Sequence, residues 1–209
     1  MLRELLVEPS GLIQAILQRL GVTPDAIRVR LAEVEYVAPR ETAEFDSAIV
    51  SRSVDAFIPA PLTKVWQLLS DPTRMAEWEP GIGSVDDVPE SVRKGSSWTA
   101  YAPLNHPDGK PLRIAPERQK IRVEVTRCEE PYLLEWRYSW PEMPSSNERA
   151  IRITIAPAAG GTQLVIAGAW IRNTAVSRRR ASWLLRPVHR YMTWVQLSNL
   201  AASISRVFQ

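Results

Sequence analysis

Between Ile82 and Ile171 the chain carries six apolar, β-branched or aromatic stretches, near 82–88, 96–102, 117–128, 132–140, 149–157 and 162–171. The breaks between them are made of turn residues: PESVRKG, NHPDGKP, EEP, PEMPSSN and AAGG. Parallel neighbours need a crossover connection, usually a helix, and none of these breaks has a helical pattern. The segments are therefore expected to pair in chain order as an antiparallel meander. A seventh stretch, SAIVSRSVDAFI at 47–58, also reads as a strand, ended by Pro59 and Pro61. Residues 132–140 alternate most cleanly: Leu134, Trp136, Tyr138 and Trp140 share one face, and Glu135, Arg137 and Ser139 share the other.

Between the first strand and the meander lies PAPLTKVWQLLSDPTRMAEWEP, residues 59–80. It holds two helical bursts, each opened by proline and each containing a tryptophan. Leu62, Val65, Trp66 and Leu69 make one side of the first. Asp71 is placed to cap the second and Pro72 to open it, with Met75 and Trp78 on one side. Isolated helices this short are marginal in water, so packing must hold them.

Both ends of the chain read as helical. Ile13, Ile16, Leu17 and Leu20 follow one helix face up to Gly21, and Thr23-Pro24 restarts a second helix with Ile27, Leu31 and Val34. Residues 36–46, YVAPRETAEFD, lose periodicity and read as a linker. Three parts are expected: a helical extension at 1–35, the linker, and a main domain at 47–209. From about Val176 to Phe208 a long helix is expected, kinked or split at Pro187. Leu184, Val188, Tyr191 and Val195 fall on one of its faces, and Leu197, Leu200, Ile204 and Val207 fall nearly opposite. A helix apolar on two sides needs two partners. One is the sheet; the other is either the N-terminal helices or a second copy of the chain, which would make a homodimer.

Charge is unevenly placed. After Glu148 no acidic residue occurs, and the last 61 residues hold nine arginines and no lysine. The run Arg178, Arg179, Arg180, with Arg186 and Arg190, falls at the start of the long helix, where arginines oppose the helix dipole. No aromatic interleaving or nucleic-acid motif accompanies it. A solvated corner balanced by the acidic first part is favoured and no nucleic acid is expected; weak contact with a membrane surface is the alternative. The single cysteine, Cys128, excludes an intrachain disulfide. With no signal-peptide pattern and no apolar run of membrane-spanning length, a cytoplasmic protein is expected.

The segment IPAPLTKVWQLLSDPTRMAEWEPGI, the hairpin PAAGGTQLVI and the closing helix together resemble the START-like or SRPBCC superfamily, the helix-grip fold of the birch-pollen allergen and of the polyketide cyclase/dehydrase group. The match covers about 48–208. It implies an α+β fold: a curved seven-stranded antiparallel sheet around a long C-terminal helix, with the two short helices forming a V that supports one end of it. Trp66 and Trp78 then read as core. The resemblance also implies a ligand cavity between helix and sheet. A second, shorter resemblance links LLVEPSGLIQAILQRLGVTPDAIR to part of the helical repeat in the N-terminal domain of Clp ATPases. Only half of one repeat is present, so a role in packing or dimerisation is expected rather than adaptor docking.

No metal set is visible: His106 and His189 stand far apart, without a Cys, His or carboxylate cluster beside them. No phosphate loop, G-x-G-x-x-G or G-x-S-x-G motif occurs, and no cofactor or catalytic residue is singled out. The candidate ligand contacts are Arg52, Tyr101, Trp136, Tyr138, Trp140, Tyr191 and Val195. Arg52 shares the face of Ile58 and would be a charge on an apolar surface. Trp98 and Tyr101 point to opposite faces, so at most one of them lines the pocket. Trp136, Tyr138 and Trp140 would form the wall, with Trp170 as a further candidate. Tyr191 and Val195 would form the roof. Three functions are expected in order: a binder of a small hydrophobic molecule such as a lipid, isoprenoid or polyketide-like compound; a polyketide aromatase/cyclase, which needs an acid–base pair in the pocket; and a regulatory protein-interaction module.

Overall fold

A computed structural model describes residues 48–105, 109–173 and 186–209, together with Phe45 and Arg19. The chain separates into a unit of Met1–Arg40 and a unit of Glu41–Gln209; all described residues but Arg19 belong to the second. The N-terminal helices, the linker apart from Phe45, His106 and the run Arg178–Arg180 lie outside the described residues.

The first strand, β1 (Ala48–Ile58), leads into α1 (Leu62–Leu69), a 3-10 turn at Pro72–Arg74, and α2 (Met75–Trp78). The meander follows as β2 (Ser84–Asp86), β3 (Ser97–Tyr101), β4 (Lys120–Glu129), β5 (Leu133–Ser139), β6 (Glu148–Ala158) and β7 (Gly161–Ile171), and α3 (Arg186–Val207) ends the chain. All seven strands form one antiparallel sheet in the order β1-β7-β6-β5-β4-β3-β2. The expected meander is present, and β1 adds to it beside β7. The stretch read as a strand over 82–88 shortens to three residues, because Asp87 turns into the left-handed region at φ 56° and ends it.

The short helices are held as their sequence requires. Asp71 accepts a hydrogen bond from the Thr73 backbone N–H at 3.0 Å, with Pro72 in the first helical position. Val65, Trp66, Leu68 and Leu69 of α1 and Met75 and Trp78 of α2 are buried in one core with Ile58, Leu134, Trp136, Ile151, Ile153, Ile155, Leu164 and Ile166. Packing thus supplies what intrinsic helicity does not.

One side of the sheet faces α3. Leu197, Leu200, Ala201 and Ile204 of α3 are buried against it, and a Cβ at Gly168 would come within 2.8 Å of Leu197 Cδ2. Glycine there lets the helix approach the strand closely. Pro187, expected to kink or split the helix, stands in its first described turn, and α3 continues unbroken to Val207. The second apolar face of α3 is real: Val188, Tyr191 and Trp194 are exposed. The far side of the sheet holds a smaller cluster of Phe45, Ala150, Ala167, Ala169 and Ile171.

Candidate functional site

Antiparallel register sets the site's floor. Trp98 of β3 pairs with Val123, Val123 with Tyr138, Tyr138 with Arg149, Arg149 with Trp170, and Trp170 with Val50. Directly paired residues project to the same side, so this row crosses the helix-facing side from β3 to β1. Trp170 also stacks on Trp140, with ring centroids 6.0 Å apart and planes 12° from parallel.

Two clefts flank that stack. One, of about 320 Å³, is walled by Ile49, Val50 and Trp170 from the sheet and by His189, Met192 and Gln196 from α3. The other, of about 250 Å³, is lined by Arg118, Trp140, Met143 and Trp170. Asn147 borders both. The C-terminal half of α3 is packed onto the sheet, so the first cleft opens under its N-terminal half, while the second has no α3 residue among its described lining.

Deeper in the same face lies a buried carboxylate. Glu79, in the turn after α2, retains 3% exposure of its side chain, whereas its partner Arg149 retains 19%. Arg149 Nη1 stands 3.6 Å from Glu79 Oε1. The Tyr138 hydroxyl donates to Glu79 Oε2 at 3.3 Å, and the Gly81 N–H donates to Oε1 at 3.4 Å. The Arg149 guanidinium also covers the Tyr138 ring, 5.5 Å from its centroid. Burial, reinforced by the neighbouring Glu79 charge, pushes the Tyr138 hydroxyl well above the usual tyrosine value. Tyr138 therefore keeps its single hydroxyl proton, which it donates to Glu79. The indole N–H groups of Trp78 and Trp98 are buried and find no acceptor among the described residues.

The expected contacts divide. Trp136 and Tyr138 are buried on the helix-facing side, and Trp140 is half-buried beside them. Trp136 packs on Trp78, with centroids 5.8 Å apart, and so belongs to the core beneath the site. Four of the expected contacts line neither cleft. Tyr101 lies opposite Trp98 and Ala100, which take the inner positions of β3, so it does not face the clefts. Arg52 pairs with Gly168 and does lie on the helix-facing side, but its side chain is exposed, so it is not a buried charge. Tyr191 is 62% exposed, tilted against Trp194 at 6.0 Å, and does not roof the site. Val195, half-buried, lies nearly opposite the buried Thr193 and Leu197 around the helix. At 100° per residue, the inward stripe of Leu197, Leu200 and Ile204 extends backward through Thr193 to His189, with Met192 at the stripe's edge beside the cleft. That continuation was present in the spacing and identifies the roof. Glu79 and Arg149 carried no local signal: only pairing across β5 and β6, with the turn after α2 folded over them, brings them together.

Residues 48–204 match the family described as polyketide cyclase / dehydrase and lipid transport. No curated protein sequence matches the chain. Solved structures similar to it include protein Ms6760 from Mycobacterium smegmatis, 20% identical over 78% of this chain and 92% of that one, with a TM-score of 0.48. Protein CV1439 from Chromobacterium violaceum is 19% identical over 74% of this chain and 96% of that one, with a TM-score of 0.47. CalU16 from Micromonospora echinospora is 17% identical over 74% and 76%, with a TM-score of 0.43.

Proposed function

The chain belongs to the polyketide cyclase / dehydrase and lipid transport family, a START-like, SRPBCC-type domain, and from that premise we propose that it binds one small hydrophobic molecule, a lipid, isoprenoid or polyketide-like compound, in the two clefts that adjoin at Trp170 and Asn147. The observation that carries this reading is the Trp140–Trp170 stack standing between two adjoining clefts. It offers a broad apolar surface with few polar groups around it, the usual make-up of a small-molecule site. The first cleft, about 320 Å³, lies at the lower end of the roughly 300–1,000 Å³ typical of such sites, and the second, about 250 Å³, lies just below it. N-phenylnaphthylamine, a neutral fluorescent probe, tests it. The wild type should bind the probe, Trp170→Ala should weaken binding several-fold, and Tyr132→Ala, on an exposed turn, should leave it unchanged. Absence of binding, or equal binding by wild type and Trp170→Ala, would overturn the proposal.

A second reading, ring closure of a polyketide-like chain, is favoured by Glu79 and Tyr138, two ionisable groups in contact on the same side of the sheet. A tyrosine held protonated can donate to a substrate carbonyl while a carboxylate accepts a proton. Under this reading a poly-β-ketone would be cyclised by the wild type and not by Tyr138→Phe, with probe binding retained in both. Equal turnover by the two proteins, or none by the wild type, would sink it.

A further inference from the structure

Resting on the reading of the clefts as a small-molecule site, we infer that the ligand is an acid: an apolar body carrying an anionic oxygen group, met by the guanidinium of Arg149.

Position comes first. Arg149 is the register partner of Trp170, so their Cβ atoms stand about 5 Å apart on one side of the sheet. Arg149 itself lies outside both linings, and a ring or chain lying on Trp170 reaches it with a polar substituent directed across the β6–β7 pair. Asn147, which borders both clefts, lies in the loop that leads into β6, two residues before Arg149.

Unused bonding capacity comes second. A guanidinium has five N–H donors. Among the described residues Arg149 meets one carboxylate oxygen, at 3.6 Å, and one aromatic ring. Glu79 is the more deeply buried partner and Arg149 the more exposed one. The carboxylate thus holds the guanidinium from behind, and the accessible side of the pair is the cationic side. Bidentate geometry toward an incoming carboxylate or enolate suits arginine better than lysine.

The cleft lining supplies the third observation. Among the described residues its ionisable members are Arg118 in one cleft and His189 in the other, and none of the described lining residues is acidic. Asn147 and Gln196 add side-chain amide N–H donors to the described linings. Donors in excess call for a ligand rich in acceptors.

The test compares two probes with the same aromatic body. Anilinonaphthalene sulfonate carries an anionic group, and N-phenylnaphthylamine does not. Wild type should bind the sulfonate about tenfold or more tightly than the neutral probe, the scale of a charged hydrogen bond. Arg149→Met should abolish that preference and leave neutral-probe affinity unchanged. Arg149→Lys should retain part of it, and Arg190→Met, on the exposed part of α3, should retain all of it. The inference is overturned if both probes bind wild type equally, or if Arg149→Met keeps the preference. If neither probe binds wild type, the cleft itself is refuted as a small-molecule site, an outcome distinct from loss of charge selectivity. The wild-type comparison needs no variant and stands even if Arg149→Met fails to fold.

Discussion

Two arginine–glutamate pairs sit on opposite sides of the same sheet, and they are built differently. On the far side, Arg152 Nε bonds Glu135 Oε2 at 2.6 Å, and Thr126 Oγ1 donates to Glu135 Oε1 at 2.6 Å. Thr126 sits where a bulge shifts the register between Val125 and Arg127, and a bulge re-aims the extra residue's side chain. The Arg152 guanidinium then covers the Phe45 ring at 4.9 Å. Both carboxylate oxygens are engaged and both residues are largely buried, with side-chain exposures of 11% and 8%. On the helix-facing side each contact of the Glu79 carboxylate among the described residues is longer, between 3.3 and 3.6 Å. The tight pair is closed and structural. The loose pair keeps bonding capacity beside two clefts, which is what a binding site requires.

The largest expected effect of breaking this contrast falls on the far side. Arg152→Met would strand a buried carboxylate and should cost about 3–5 kcal/mol in urea unfolding, while the folded fraction keeps its probe selectivity. Arg149→Met should cost less, about 1–2 kcal/mol, because Glu79 retains the Tyr138 hydroxyl and the Gly81 N–H as donors. Equal costs for the two variants would erase the distinction between the pairs.

Tyr138→Phe removes one long hydrogen bond and should cost about 1 kcal/mol or less at neutral pH. Its sharper signature is in alkali. The folded-state hydroxyl is raised above its unfolded value, first by burial and then by the Glu79 charge. Its contribution is therefore complete below pH about 10 and is lost as pH rises through the folded-state value. The urea midpoint of the wild type should fall more steeply above pH about 10 than that of Tyr138→Phe. Parallel curves would contradict this. The smallest effect is expected at Glu77, whose exposed bond to Arg74 lies within one helical turn. Glu77→Gln should leave the urea midpoint unchanged within error, the behaviour of a solvated pair.

The fold was legible because it is written in local signals. Period-two alternation, the Asp71-Pro72 cap and the turn punctuation each report on a few neighbouring residues, and all agree with the sheet order found. Of the site, Tyr138 and Trp140 were legible from alternation within one strand, and Trp170 as a further candidate wall. Tyr191 and Val195 lie on the outer of α3's two apolar stripes, and periodicity does not say which stripe meets the sheet. The packing of Leu197 against Gly168 decides that. Arg52 and Tyr101 show the same limit: strand parity gives the two faces but not the depth of either. The Glu79–Arg149 pair joins residues 70 positions apart, and no short-range pattern reports such a meeting.

The most direct measurement is native mass spectrometry of freshly purified protein, repeated after organic extraction and again after adding anilinonaphthalene sulfonate. The account predicts that the extracted protein takes up one probe molecule and that Arg149→Met does so much more weakly. A protein that remains unliganded at every stage, or wild type and Arg149→Met taking up the probe equally, would contradict it.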